Sequence, residues 1–114
     1  MARLNIIEIS IDRITDYSSY PGWVECSFYD MNNVKHTFTE KIPVVTTLDL
    51  TPEDSFPQKS IIPCKVVKKR KDGDGKKIYT ATLYPYGIEY NDETVMFDFL
   101  ESQVSKWKKP PATG

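Results

Sequence analysis

The sequence predicts an all-β domain, and three observations support that fold class. Apolar and polar residues alternate with a period of two in several stretches, which is typical of half-buried strands. Turn-forming residues separate these stretches, and no long segment has the period of an amphipathic helix. Because unpaired sheet edges are unfavourable, we expect the six or seven strands to close into a small, mostly antiparallel barrel.

The length of the chain, 114 residues, suits one domain with its own hydrophobic core. We therefore predict a single β-barrel domain over residues 1–107, followed by a disordered tail over residues 108–114. Glu8, Ser10 and Asp12 interrupt the apolar N-terminal residues, which does not fit a signal peptide, and no apolar run reaches the length of a membrane span. The sequence thus favours a soluble, cytoplasmic protein.

Three strands are expected in the N-terminal part of the chain. The doublet Ile6-Ile7 interrupts the first alternation and indicates a β-bulge. Turn residues 16–22 separate the first two strands, and Asn32-Asn33 can adopt the positive φ of a tight hairpin turn before the third. The residues expected on one face of each strand are Ile7, Ile9 and Ile11, then Val24, Cys26 and Phe28, then Val34, His36 and Phe38.

Two features interrupt the strands in the middle of the chain. Pro43 lacks a backbone donor, so we expect a corner of the sheet beside it. Thr51, Pro52 and the acids that follow have the composition of a helix N-terminus, and Pro57 limits the segment to about one turn. One short helical turn is therefore predicted over residues 51–54.

A second and longer hairpin is expected in the C-terminal half. The β-branched stretches 61–67 and 78–83 flank the sequence KVVKKRKDGDGKK, residues 65–77. Seven basic residues there surround a double Asp-Gly turn, so the tip of the hairpin is predicted to be exposed and basic.

The last strand is expected around Phe97 and Phe99, which alternate with more polar residues. Beyond it, Leu100, Val104 and Trp107 have the i, i+4, i+7 spacing of one helix face. The same residues also fit a continuation of the strand, so both structures remain open.

The near-neutral net charge of −1 conceals a strong segregation of charge along the chain. Residues 1–64 carry a net charge of −4, residues 65–80 of +5 and residues 81–105 of −5. Proteins that wrap nucleic acid usually have an excess of positive charge, because phosphate neutralisation supplies much of their affinity. Any contact with nucleic acid would therefore be confined to the basic hairpin.

Part of the sequence resembles a known group of barrels. The segments GWVEC at 22–26 and HTFTEKIPVV at 36–45, with Asp30 between them, resemble small uncharacterised bacterial β-barrel proteins similar to domain II of translation elongation factors. This resemblance, over residues 22–46, implies a six- or seven-stranded Greek-key barrel. It brings no residue-level functional motif, and a shared fold does not assign a function.

The residue types do not form a recognisable catalytic or metal-binding motif. His36 is the only histidine, and its place in a strand favours a half-buried side chain paired with Asp30 over a catalytic base. The DGDG turn has Lys76 and Leu83 where a calcium loop needs oxygen ligands. We therefore predict no enzymatic activity, no metal and no cofactor.

The cysteines and one acidic cluster also favour structural roles. Cys26 and Cys64 lie in apolar strands and fit neither a redox nor a zinc motif, so we expect reduced cysteines that pack in the core. Glu89, Asp92 and Glu93 share one polar turn, where solvated charges are the common explanation.

Two kinds of surface are candidates for binding. The basic tip can contact phosphate groups, although lysines on an exposed hairpin also prevent unwanted strand pairing. Aromatic residues near two proline-glycine turns can contact a protein partner or pack at the ends of the barrel. The candidate binding residues are Lys68, Lys69, Arg70, Lys71, Lys76, Lys77, Tyr84, Tyr86, Tyr90 and Trp23, with Tyr17, Tyr20 and Tyr79 beside them.

From the sequence we expect a non-enzymatic binding or accessory module that acts through protein-protein contacts. One alternative is a nucleic-acid-binding barrel that uses the basic hairpin tip, with an affinity that falls steeply with salt. Another is a toxin-neutralising immunity protein whose acidic segments cover a basic toxin surface. A small enzyme built around His36 or the acidic turn is a third, and its histidine-based form predicts that His36→Ala abolishes turnover.

Overall fold

The protein is an antiparallel β structure with a short helix and a short 3₁₀ turn. A computed structural model describes residues 5–83 and 96–106. Within them, the secondary structure consists of β1 (Asn5–Asp16), β2 (Trp23–Tyr29), β3 (Lys35–Lys41), α1 (Ile42–Val45), β4 (Gln58–Lys71), β5 (Lys77–Thr82), β6 (Met96–Leu100), a 3₁₀ turn (Glu101–Gln103) and β7 (Val104–Lys106).

The strands form one curled, half-barrel sheet in Greek-key order. Neighbouring strands follow the order β3-β2-β1-β4-β5-β6, and β7 pairs with β1. After three consecutive antiparallel strands, the chain returns through α1 and places β4 on the other side of β1, which is the Greek-key arrangement. The predicted all-β fold class with six or seven mostly antiparallel strands is confirmed, with seven strands in a sheet that curls into a half-barrel.

Strand β1 is the centre of the sheet. It pairs with β4 from Asn5 to Ile11, with β2 from Ser10 to Asp16, and with β7 at its first three residues. The predicted bulge at Ile6-Ile7 is wrong, because the ladder to β4 is regular there and Ile6 simply lies on the outer face. The register instead shifts after Ile11 and again after Ile14, where β1 curls along β2.

One hydrophobic cluster fills the inside of the sheet. The expected inward residues of β1 and β2 are all buried, and Phe38 and Phe99 are among the largest side chains with almost no exposure. Val34 differs from the prediction, since it precedes β3 and is 49% exposed. Cys26 and Cys64 are buried and free, and burial raises their thiol pKa values to about 12 and about 11.

The short helical turn lies earlier than predicted. Helix α1 has Pro43 in its first turn, where the missing N–H costs nothing, and it buries Ile42 and Val45 against the core. Residues 51–54 form a hydrogen-bonded turn instead, in which the N–H of Asp54 donates to the carbonyl of Thr51. That segment is largely exposed and has no pair of apolar residues to bury, so a helix there would lack tertiary support.

After β6, the chain continues as a strand rather than as a helix. The 3₁₀ turn redirects it, and Val104 in β7 packs against the core. Gln103 holds this turn in place, because its side-chain carbonyl accepts from the N–H of Leu100 and its amide donates to the carbonyl of Tyr29. Trp107 and the predicted tail lie outside the described residues.

Candidate binding surfaces

The first candidate surface is a cleft of about 590 Å³ between the β1–β2 turn and the segment that follows β3. We call it the tyrosine cleft. The side chains that define it are Tyr17, Tyr20, Pro21, Ile42, Pro43, Leu48 and Leu50. Both loops are needed to build it, so the cleft depends on contacts between parts of the chain that are far apart in sequence.

Gly22 joins the two walls of the tyrosine cleft. Its carbonyl accepts a hydrogen bond from the N–H of Ile42 at 3.1 Å, and its own N–H donates to Ser19 within the β1–β2 turn. Its φ of +85° suits glycine, and a Cβ at this position would lie 3.0 Å from Cδ1 of Ile42 and 3.2 Å from Cδ1 of Tyr17. The close approach of the two loops therefore requires glycine here.

The tyrosine cleft exposes large side chains. Tyr20 is 95% exposed, Leu48 is 59% exposed and Tyr17 is 49% exposed, while Ile42 and Leu50 are buried at its base. Single exposed apolar residues are common, but a group of them around a concave surface is a feature of binding sites. The tyrosines are suited to such a surface, since each ring combines apolar area with a polar tip.

The tyrosine cleft is also acidic. Asp49 is the one charged residue among the described residues that line it. Glu53 and Asp54 follow in the same loop, Asp16 ends β1 before the other loop, and residues 17–22 and 42–57 contain no lysine, arginine or histidine, although Lys41 precedes the second of these segments. The hydroxyl and the N–H of Ser18 donate to the carboxylate of Asp16 and lower the pKa of Asp16, which keeps it charged. The cleft therefore presents apolar walls within a field of negative charge.

Trp23 lies beside the tyrosine cleft rather than in it. It is the first residue of β2, directly opposite Lys41, and the ammonium of Lys41 lies 5.7 Å from the centre of its ring. The sequence grouped Trp23 with Tyr17 and Tyr20, but Leu48 and Pro43 contribute to the cleft where Trp23 does not. The sequence pattern does not indicate Leu48 or Pro43 as binding residues, because their place in the cleft depends on the fold.

The second candidate surface is the basic hairpin, residues 65–77. Its tip is a tight turn in which the carboxylate of Asp72 accepts from the N–H groups of Asp74 and Lys76. The predicted exposure of the tip is confirmed, since all the candidate cations are exposed. Strand β6 accompanies β5 as far as Ile78, however, so only the end of the hairpin extends beyond the sheet.

Strand register divides the basic hairpin into two faces. Lys69 lies opposite Tyr79 and Lys71 lies opposite Lys77, so these four side chains share one face. Phe99, opposite Tyr79 on β6, belongs to the core. The core-facing side of the sheet therefore continues through Tyr79 into a group of three lysines.

The lysine and tyrosine side chains on this face are in contact. The ammonium of Lys69 lies 4.9 Å from the centre of the Tyr79 ring, and the Tyr79 hydroxyl donates to Glu101 at 2.9 Å. That hydrogen bond lowers the pKa of Glu101, and Lys77 lies 3.5 Å from the same carboxylate. A shallow depression of about 300 Å³ is lined by these four residues with Arg70 and Lys71. We call it the lysine–tyrosine face.

The opposite face of the hairpin is partly neutralised. Arg70 borders the depression, but its guanidinium lies on this opposite face, where it forms an ion pair with Asp98 at 3.0 Å and donates to the hydroxyl of Thr80. The hydrogen bonds from Arg70 and Thr80 lower the pKa of Asp98. Of the six predicted cations, Arg70 and Lys77 are paired, whereas Lys68, Lys69, Lys71 and Lys76 form no ion pair with any carboxylate that the structure describes.

His36 occupies the structural position that its strand pattern predicts. Its Nε2 lies 2.8 Å from a carboxylate oxygen of Asp30, and its ring packs against Phe28 and Phe97. Burial works to raise the pKa of Asp30, but hydrogen bonds from His36 and from the N–H groups of Val34 and Asn32 lower it overall. The His36–Asp30 pair stabilises the hairpin turn between β2 and β3.

Several predicted residues fall outside residues 5–83 and 96–106. These are Tyr84, Tyr86, Tyr90, Glu89, Asp92 and Glu93. In the described parts of the chain, no group of three or more His, Cys, Asp or Glu side chains is arranged to hold a metal ion. Among the same residues, no helix has the length and apolar character needed to cross a membrane.

No protein-family model matches the chain, and neither a curated protein nor a solved structure matches it significantly. The function of this protein is therefore inferred from the two surfaces described above.

Proposed function

We infer that this protein is a non-enzymatic binding module for another protein, and that the tyrosine cleft holds an extended, basic segment of that partner. One observation carries the proposal: exposed tyrosine and leucine side chains surround a concave surface whose two loops bear only negative charge. Aromatic anchors in a concave, partly apolar site are the residues that contribute most to protein interfaces.

The shape of the cleft favours an extended segment of chain. Its walls are two loops, with Tyr17 and Tyr20 on one and Pro43 and Leu48 on the other. Grooves lined by aromatic and proline side chains suit extended peptides, which bury some of their side chains without a fold of their own. A flat surface, by contrast, would favour contact with a folded domain.

The charge of the cleft selects the partner. Asp49 in the cleft, together with Asp16, Glu53 and Asp54 near it in sequence, outnumbers the neighbouring cation Lys41, and such an excess of carboxylates attracts lysine and arginine and repels acidic chains. Such an arrangement raises the rate of encounter with a basic partner and discriminates against acidic ones. The hypothesis of an immunity protein that covers a basic toxin is one form of this proposal, because it requires the same acidic, aromatic surface.

The experiment is a selection of short random peptides displayed on phage, with the double variant Tyr20→Ser/Leu48→Ser used for counter-selection. We expect the enriched peptides to carry net positive charge with apolar or proline residues between the cations. Calorimetry on the synthetic peptides should show binding to the wild-type protein that is weakened at least tenfold in the double variant, since buried anchors dominate such interfaces. Raising the salt concentration should weaken the binding further.

The control variant is Ile61→Ser/Val67→Ser, which removes two comparably exposed apolar side chains away from the cleft. Its affinity for the peptides should equal that of the wild type. Enriched peptides that are acidic, or that bind both double variants alike, would overturn the proposal. Analytical ultracentrifugation tests whether the partner is a second copy of this chain. If the protein self-associates, and if Leu48→Ser and Lys69→Glu each abolish the self-association, the tyrosine cleft binds the basic hairpin of another copy instead.

A further inference from the structure

We propose that the lysine–tyrosine face of the basic hairpin is a binding surface for single-stranded nucleic acid. This site is separate from the tyrosine cleft and adds a second activity to the protein. The observation that carries it is the juxtaposition of three lysines with one aromatic ring on the core-facing side of the sheet. Surfaces that bind single strands combine cations for the phosphates with aromatic rings on which bases stack.

The lysines provide the phosphate contacts. Lys69, Lys71 and Lys77 project from one face of the hairpin, and Lys76 adds a fourth cation at the turn. Glu101 is the carboxylate on this face, and it already accepts a hydrogen bond from Tyr79 and lies 3.5 Å from Lys77. Even when Asp72 and Asp74 of the turn are counted with Glu101, the seven basic residues of the hairpin leave an excess of positive charge.

Tyr79 provides the stacking surface. Its hydroxyl is fixed by Glu101, and its backbone is held between β4 and β6, so the ring has a defined orientation. Tyr79 is only partly buried, and the ammonium of the exposed Lys69 side chain lies over its ring, 4.9 Å from the ring centre. A base that stacks on the ring would displace this ammonium from the ring and place its phosphate beside Lys69 or Lys71.

The same geometry distinguishes the single strand from other polyanions. A ribbon that enters the major groove of a duplex must project freely, but β6 flanks this hairpin as far as Ile78. A membrane surface would be expected to bury apolar residues at the tip, yet the turn consists of Asp72, Gly73, Asp74 and Gly75. An acidic polypeptide gains little from a stacking ring, whereas every nucleobase has a face that fits one.

The test is a fluorescence-anisotropy titration with a labelled oligothymidine of about ten nucleotides, which is within the range of sites on small barrels. Neutralising about three phosphates predicts that binding weakens about 20-fold when salt rises from about 50 to about 200 mM. The variant Lys69→Glu/Lys71→Glu should lose more than about tenfold in affinity. Tyr79→Leu should lose at least about fivefold through the missing stack, while Tyr79→Phe keeps the ring and should retain most of the binding.

The matched control is Lys35→Glu/Lys59→Glu, which makes the same change in net charge at exposed lysines outside the hairpin. Its affinity should fall much less than that of the hairpin double variant. Circular dichroism and thermal melts on every variant should show the wild-type fold, so that a loss of binding is not a loss of structure.

Four results would overturn the proposal. These are no binding at low salt, equal losses in the two double variants, unchanged affinity in Tyr79→Leu, and binding to a duplex or to polyaspartate that is as tight as binding to the single strand. If the protein does not bind at low salt, the lysines serve only to prevent strand pairing and aggregation. If a duplex or polyaspartate binds as tightly as the single strand, the face binds polyanions in general.

Discussion

The tyrosine cleft and the basic hairpin differ in how the chain builds them. The hairpin is local: an antiparallel ladder between residues 65–71 and 77–82, with one bulge after Val66, brings together residues that are near in sequence. The cleft is assembled from two loops, and one backbone hydrogen bond from Ile42 to Gly22 joins them. The position of a side chain on the hairpin follows from counting along the strands, whereas a position in the cleft depends on tertiary packing.

The two regions also differ in what they leave exposed. The cleft exposes apolar and aromatic groups beside acids, and the hairpin exposes cations around one tyrosine. Along the hairpin, one edge of β4 pairs with none of the strands that the structure describes, and its lysines protect it because charged edges resist pairing with other chains. The hairpin therefore needs little support from the core, while the cleft exists only if both loops are held in place.

The variant Gly22→Ala should destabilise the protein about as much as the loss of a core side chain, and it tests the claim that the cleft depends on close loop contact. Alanine at this position would have to keep the positive φ of Gly22, and its Cβ would lie 3.0 Å from Cδ1 of the buried Ile42 side chain. Strain and overpacking together should lower the free energy of unfolding by about 3 kcal/mol. Urea unfolding followed by tryptophan fluorescence measures the change.

Gly75→Ala is the matched substitution in the hairpin turn. Gly75 has a similar φ of +80°, but a Cβ there would meet no atom within 4 Å. The loss should therefore be about 1 kcal/mol, from backbone conformation alone. Gly75→Asn should recover part of it, because asparagine tolerates this conformation. Equal losses at Gly22 and Gly75 would show that the contact with Ile42 contributes nothing.

A smaller effect is expected from the ion pair on the outer face of the hairpin. Hydrogen bonds from Arg70, and next from Thr80, hold the pKa of Asp98 below its usual value. The stability that Asp98 contributes is therefore fully present above the pKa of an unfolded Asp, about 3.9. It is lost as the pH falls from there through the lower folded pKa, and it is small because the pair is partly exposed.

Arg70→Gln removes the main cause of that shift. A carboxyl NMR titration should show the pKa of Asp98 moving up towards its usual value, while the pKa of Asp16, which hydrogen bonds from Ser18 lower, serves as the internal control. An Asp98 pKa that is already ordinary in the wild-type protein, or that is unmoved by the substitution, would contradict the geometry of this pair.

Sequence patterns predict the regular parts of this fold well. The alternation in β1 and β2 correctly identifies the buried residues, and the basic hairpin has the predicted turn. The pairing of His36 with Asp30 follows from their spacing across a short turn. These features depend on residues that are neighbours in sequence or that lie opposite each other in a hairpin, so strand periodicity is sufficient to find them.

Local propensity is less informative where tertiary burial decides the structure. Thr51 and Pro52 have the composition of a helix start, yet the helix forms at Ile42–Val45, where apolar residues meet the core and the hydroxyl of Ser60 donates to the carbonyl of Val45. The contribution of Leu48 to the cleft has the same origin. By contrast, the sequence is sufficient to predict the contact of Tyr79 with Lys69, because counting residues outward from the hairpin turn places the two opposite each other. Such counting works only near the turn, since the bulge after Val66 shifts the register beyond it.

The smallest effect on stability is predicted for Leu48→Ser, and it tests whether the tyrosine cleft is open in the folded protein. Leu48 is 59% exposed, and its N–H is already satisfied by the hydroxyl of Thr46. Substitutions at such exposed positions usually change the free energy of unfolding by less than about 0.5 kcal/mol. Urea unfolding should therefore give the same midpoint and slope for Leu48→Ser as for the wild type.

Leu50→Ser provides the contrast within the same loop. Leu50 is only 4% exposed and belongs to the core, so its replacement by a polar residue should destabilise the protein by about 3 kcal/mol. If Leu48→Ser were instead as costly as Leu50→Ser, Leu48 would be covered in the folded protein. The apolar wall of the cleft would then be part of the core rather than a surface for a partner, and the proposed binding of a basic segment would lose the feature on which it depends.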